Sequence, residues 1–407
     1  MAALVITRWP LSPHHLFGFD NVNFALALSK FDPLASQPQA PGYPLFVLVS
    51  RLVHFAVPSE VQTGLVMGFL GSAAALFFIE RLGSELFGPP AGWIAAGLLL
   101  FHPAFWMAGA VDAVRTFLAA GSLAVAWFVW RGQLKTAAVV FAVAGGFRPD
   151  LCAVLAPLFF ARLVVRRRPV RDYLLPVVIL VCGTLVWFLY TAHAMGGVGS
   201  MMRTNAQLSY NGIAGQSIWY SGFTKPALIM AALAAYWYGI GVLPWIWAVP
   251  FARLREWRSY SAQAVFLLIW VLPPFLLSAI VHFASPDHAL AGVPVVCLAG
   301  AWVLSRLRAP MVAGAVAVVA MIALFVFPPK KLGREARLPW ITHRGAVVDN
   351  TLDAIAAQPR GCAIVLDNPV VTSRQIEYYF PQARINSDTG KAGCEIQISG
   401  ERVSVNP

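Results

Sequence analysis

The chain has 407 residues, 58% of them hydrophobic and 12% charged, and a mean hydropathy of +0.68. A water-soluble domain carries about a quarter of its residues as charged side chains, so a soluble globule is excluded and the solvent of this chain is lipid. The net charge of +12 would raise nucleic acid as a partner, but the basic residues sit in short clusters between apolar runs, as in the cytoplasmic loops of membrane proteins, and nucleic acid is excluded.

The first apolar run, Met1 to Ile6, is too short to cross a bilayer and lacks the length and cleavage site of a signal peptide. Residues 10–60 then read as a first outer loop with interfacial helices. Its polar stretch holds His14, His15, Asp20, Asn21, Asn23, Asp32, Gln37 and Gln39, and ends in Pro41-Gly42-Tyr43-Pro44. The apolar run from Pro44 to Val57 carries Arg51 and His54 on one helical face, which fits a re-entrant or interfacial helix touching head groups or a wet cavity.

Ten spans follow, at 61–80, 91–108, 113–130, 134–147, 151–165, 173–192, 227–250, 262–281, 289–305 and 310–327. The expected fold is an α-helical polytopic membrane protein of about 10 transmembrane helices over residues 1–327, with a small α/β tail at 328–407. In alternate loops, one set carries 13 Lys and Arg, including Arg81, Arg131, Arg166 to Arg168, Arg253 and Arg306, and the other carries 4. The first set is cytoplasmic by the positive-inside rule, which places residues 10–60 and the tail outside. In the tail, β-type runs lie near 362–367 and 394–405 around a helical pattern at 372–380. Of the five cysteines, Cys152, Cys182 and Cys297 fall in apolar runs, whereas Cys362 and Cys394 lie in the tail and can pair in an oxidising compartment.

Polar groups collect on the outer side. Asp20 is either a general base at the membrane boundary or the N-cap of a helix starting at Asn21. Asp112 and Arg115 stand three apart at a helix start, as a structural ion pair or as part of a site. In Phe147-Arg148-Pro149-Asp150, Arg148 either holds a phosphate bidentately or pairs with Asp150. The loop 193–226 supplies Arg203 and Lys225 among aromatic residues, and His282 to His288 brings two histidines and Asp287 beside the membrane. No CxxC or Cys/His metal spacing exists, so no metal site is assigned and a divalent cation stays open as a cofactor.

The run Asp20 to Leu28, with Gln37-Pro38 and Pro41-Gly42-Tyr43-Pro44, resembles the first outer loop of bacterial GT-C membrane glycosyltransferases related to protein O-mannosyltransferases. Phe147 to Asp150 and Ser285-Pro286-Asp287-His288 resemble motifs of the same branch. The resemblance implies a polyprenyl-phosphate sugar donor and an acidic catalytic base in the first loop, matched by Asp20, with a second acidic residue matched by Asp112. It further implies a binding surface drawn from Asn21, Asn23, Gln37, Gln39, Tyr43, Arg148, Arg203, Lys225, Asp287 and His288. The reaction expected is an inverting transfer to a lipid, glycan or protein acceptor on the periplasmic side of a bacterial inner membrane. Ser36, Gln39 and Ala40 stand where the branch often shows His, His and Pro, and the family's first helix would lie upstream of Met1. A transporter or lipid flippase, or an inactive GT-C relative, is the alternative; the collection of polar groups at one side favours the enzyme.

Overall fold

The computed structural model describes residues 2–252, 258–281, 288–327, 337–358, 362–367, 370–385 and 394–406. Helix α1 (Ala2–Arg8) packs on the bundle, and α2 (Phe19–Ser29) and α3 (Pro44–Ala56) form the first loop. At 13 residues, α3 is about 20 Å long, shorter than the roughly 30 Å hydrocarbon core of a bilayer. One of its faces buries Phe46, Val47 and Ser50, while Leu48, Leu52 and Phe55 are exposed. Arg51 and His54 are partly buried and have protein partners. Arg51 donates to the Ala27 carbonyl near the end of α2, where a cation complements the helix dipole, and His54 pairs with Thr63.

Of the ten expected spans, five coincide with helices long and apolar enough to cross a membrane. These are α4 (Glu60–Phe87), α7 (Ala113–Arg131), α11 (Leu174–Ala194), α14 (Lys225–Val242) and α15 (Ser261–Leu276), the last running into a π-helical turn at Leu277–Val281. The span expected at 91–108 is broken into α5 (Pro89–Leu100) and α6 (Pro103–Val111), bent by 60°. Pro103 causes the break: it has no amide to continue the ladder and it forces His102 into an extended conformation. The other spans are shorter apolar helices: α8 (Leu134–Phe147), α9 (Leu151–Phe159) with α10 (Ala161–Val165), α16 (Val293–Ser305) and α17 (Pro310–Val326). Between α11 and α14 lie α12 (Val198–Ile213) and the short α13 (Ile218–Ser221).

The core is built on α4, which packs against α5 and α7 through small residues. A Cβ on Gly83 would stand 3.0 Å from the Gly92 Cα, so the two backbones touch, the approach that small residues permit in lipid. Arg81, Arg131, Arg166 and Arg306 each lie over an aromatic ring (Phe77, Trp127, Trp130 and Tyr260) at the end of the bundle remote from the first loop.

The C-terminal appendage has its own small core. Its sheet runs β2-β1-β3-β4, from β1 (Ala363–Asp367), β2 (Arg384–Ile385), β3 (Glu395–Ser399) and β4 (Arg402–Asn406), with β1 parallel to both neighbours and β4 antiparallel to β3. Helix α19 (Ser373–Tyr379) falls where the sequence expects one, and the Cys362–Cys394 disulfide ties the starts of β1 and β3 together, with Cα atoms 4.8 Å apart. Helix α18 (Leu338–Ala356) was not expected, yet Val348, Leu352 and Ile355 form a helical stripe that the sheet covers, while Ile341 at its start packs into the core of the bundle.

Candidate active site

Helix α2 starts after an extended Gly18, which is its N-cap residue, so Asp20 is not a cap. It sits in the first turn, where a carboxylate suits the helix dipole, and its side chain crosses to another helix. Asn21 donates from Nδ2 to the Val111 carbonyl at 2.9 Å, which joins α2 to the end of α6. Asp112, the next residue, links α6 to α7.

Arg115, in the first turn of α7, is the junction. Its Nε donates to Asp112 Oδ2 and its Nη2 to Asp20 Oδ2, both at 3.3 Å, and its Nη1 lies 2.6 Å from His288 Nε2. A guanidinium has donors only, so His288 Nε2 is the acceptor in this contact. The Arg115 side chain is only 10% exposed, against 36% for Asp20, so the carboxylate faces open space while the cation behind it is enclosed. The described contacts of Asp20 leave Oδ1 available to accept a proton. The local Asp112–Arg115 pair expected from spacing is therefore present, but as one limb of a network.

In the turn between α8 and α9, Arg148 gives Nε and Nη2 to Asp150 at 3.1 and 2.7 Å. The bidentate partner of Arg148 is thus Asp150. Burial would raise the Asp150 carboxyl, but the Arg148 charge outweighs it and holds it at about 2. Arg148 lies over the Tyr43 ring at 5.2 Å, and Tyr43, at the head of α3, meets Phe24 of α2 edge-on. Arg148 is therefore a support beneath the first loop.

Gln37 pairs with Asp32 through the main chain, and Lys30 hydrogen-bonds Asp32 at 2.8 Å, lowering its carboxyl below the usual range. The peptides Gln37–Pro38 and Ala40–Pro41 are cis, and Gly42 follows at φ +106. A Cβ there would stand 2.9 Å from Thr191 of α11, so the turn requires glycine. The buried Gln39 Oε1 and Asn23 Nδ2 have no described partner, whereas Asn23 Oδ1 accepts from Arg374 of α19 at 3.4 Å. Arg203 and Lys225 are exposed and make no polar contact to the cluster among the described residues. Asp287 lies outside the described residues.

A cavity of about 60 Å³ adjoins the cluster, with Asn21, Ser50, Glu60 and Asp112 in its wall. Among the described residues no group of three His, Cys, Asp or Glu side chains is arranged to hold a metal ion. The reach of Arg115 to Asp20 and His288, and of Arg374 to Asn23, joins segments 95, 173 and 351 residues apart, and no local signal in the sequence carries it.

No protein-family profile matches the sequence, and no curated protein matches it. Solved structures do. ArnT from Cupriavidus metallidurans bound to undecaprenyl phosphate is similar with a TM-score of 0.64 and 14% identity, over 95% of this chain and 85% of that one. Its apo state gives 0.62 and 14%, over 94% and 84%. The apo oligosaccharyltransferase of Archaeoglobus fulgidus gives 0.50 and 12%, over 96% of this chain and 65% of that one.

Proposed function

Taking as premise that the chain has the GT-C glycosyltransferase fold, we propose that it moves a sugar from a polyprenyl-phosphate donor to an acceptor at the outer face of a bacterial inner membrane, with inversion. The observation that carries this reading is the Arg115 junction. It fixes one open carboxylate, Asp20, beside a cation at the end of the bundle opposite the aromatic-stacked arginines.

In the proposed reaction the acceptor hydroxyl oxygen bonds to the sugar C1 as the bond from C1 to the phosphate oxygen breaks. The acceptor proton passes to Asp20, and the polyprenyl phosphate leaves as an anion that needs no proton. Asp112 balances the charge of Arg115 and keeps the guanidinium in place. The Arg115 charge, beside His288, is the cation nearest the developing negative charge. Arg203 is a further candidate cation: Met201, two residues before it, belongs to a cluster against which Ala40 of the first loop packs. ArnT from Cupriavidus metallidurans binds undecaprenyl phosphate on the same fold, which supports a polyprenyl phosphate as the donor lipid. Loops such as 166–171 would face the cytoplasm and the first loop the periplasm.

The test is sugar release from labelled polyprenyl-phosphate donors in proteoliposomes holding the full chain, with Asp20→Asn alongside. Transfer or donor hydrolysis that depends on Asp20 is expected. Donor turnover equal in the two proteins, or absent from both across hexose and pentose donors, would overturn the reading.

A further inference from the structure

Between Leu11 and Phe19 the chain has neither helix nor strand, and its backbone groups must find partners elsewhere. The C-terminal appendage supplies them. The amides of His14 and His15 donate to the two oxygens of Asp349 at 3.1 and 2.9 Å, and the amide of Leu16 donates to the Tyr379 hydroxyl at 2.8 Å. The Leu16 carbonyl accepts from Gln375 Nε2 at 2.7 Å. Gln375 is fully buried, and its Oε1 is held by the amide and hydroxyl of Thr372 in a capping box, so its own helix fixes the direction of the amide. Farther along, Arg374 donates to Asn23 Oδ1 at 3.4 Å and to the Ala35 carbonyl at 3.0 Å. Leu16, Val22 and Ala25 pack against Tyr378 and Tyr379.

We infer that the appendage is a positioning part of the candidate active site: Asp349, Tyr379 and Gln375 hold the main chain of residues 14–16, Arg374 holds Asn23 and Ala35, and together they set the angle at which α2 presents Asp20 to Arg115. None of the four touches Asp20. They act through the backbone, which enters α2 by way of Gly18. That residue has no side chain to pack, and only Asn21 and Arg344 come within 4 Å of where its Cβ would be. The grip on residues 14–16 and on Asn23 thus adds to the ties that Asn21 makes to Val111 and Arg51 to Ala27, and it fixes the N-terminal approach to α2. A displacement of about 1 Å at a reacting group is enough to cost about 100-fold in rate, so a grip on this segment matters to the chemistry.

The kinetic arm of the test rests on the proposed glycosyl transfer; the exchange arm does not. Asp349→Asn and Gln375→Glu, each nearly isosteric, are made in the full chain and compared with wild type by amide hydrogen exchange and by transfer. Exchange in peptides covering 13–17 and 22–26 should accelerate at least about tenfold while α4 and α7 stay unchanged. Transfer kcat should fall about tenfold with donor KM within about threefold, and the same substitutions should have no further effect in an Asp20→Asn background. Unchanged exchange at 13–17 overturns the proposal, as does faster exchange with unaltered kcat. A further loss in the Asp20→Asn background means general destabilisation and also overturns it. If wild type transfers no sugar, the transfer reading fails by itself, and exchange at 22–26 decides the positioning role: acceleration supports it and no change overturns it.

Discussion

Asn21 donates from Nδ2 to the carbonyl of Val111 at 2.9 Å, so the helix carrying Asp20 hangs from the residue immediately before Asp112. The two carboxylates are held in register twice, by this bond and by the fork of Arg115. Two independent ties limit the angles they can adopt, and preorganisation of this kind is what a proton-transfer step requires.

Asp20→Asn should lower sugar transfer by at least about 100-fold, the range for losing a general base. Gly18 rather than Asp20 caps α2, and Asn fills the same volume, so the melting temperature in detergent should hold within a few degrees. Asp32→Asn, on a carboxylate occupied by Lys30, should do far less. Transfer by Asp20→Asn within twofold of wild type would move the base elsewhere.

Arg115→Lys retains the charge, but an ammonium lacks the planar fork that reaches Asp112, Asp20 and His288 together. Transfer should drop by about 10- to 100-fold with the protein still folded. Kinetics in proteoliposomes check this, and full activity of the Lys variant would show that charge without geometry suffices.

Arg148 is almost fully buried, so Asp150→Ala leaves an enclosed cation without its partner. A loss of about 2 kcal/mol is expected, below the full cost of an unpaired buried charge because the carboxylate side is partly open to water. Asp150 titrates at about 2 in the folded chain and near 3.9 unfolded, so its folded value is depressed. Its contribution is fully present above about pH 4 and is lost as the pH falls toward 2. Thermal unfolding between pH 3 and 7 should show this acid limb in wild type and lack it in Arg148→Met/Asp150→Leu.

Single cysteines at Arg167 and Ser373, both exposed, report sidedness. In sealed cells an impermeant maleimide should label position 373 and spare 167. The reverse pattern would invert the orientation and the proposed site with it.

The Cys362–Cys394 bond adds a chemical check on the same point. Full-length protein denatured without reductant should show three reactive thiols, Cys152, Cys182 and Cys297, and five after reduction. Five in both conditions would place the appendage in a reducing compartment.

The spans were legible because lipid imposes long apolar runs, and α4, α7 and α11 follow the hydropathy closely. The break at Pro103 was readable in principle, but averaged hydropathy runs straight across it. Asp20 and Asp112 stood out as acids beside spans. Their common partner did not, because the i, i+3 spacing of Arg115 to Asp112 offers a sufficient local explanation and hides the longer reach to Asp20 and His288. Arg148 shows the opposite case: its local pair with Asp150 is the one that forms. The grip of Asp349 and Gln375 on residues 14–16 uses main-chain atoms, which carry no residue-specific signal at the receiving end.

The break between α5 and α6 leaves the Leu100 carbonyl without an amide from its own helix, and Arg8 donates to it from α1. In return Trp106 of α6 donates from Nε1 to the Thr7 carbonyl at 2.9 Å, and Arg8 lies over the Trp106 ring at 5.0 Å. A truncation beginning at Trp9 would keep every candidate span and still strand an acceptor and an indole donor inside an apolar bundle, where each costs about 1–3 kcal/mol. Shortened forms of this protein should therefore keep Ala2–Arg8, and any handle placed before that helix needs a linker long enough to leave it seated.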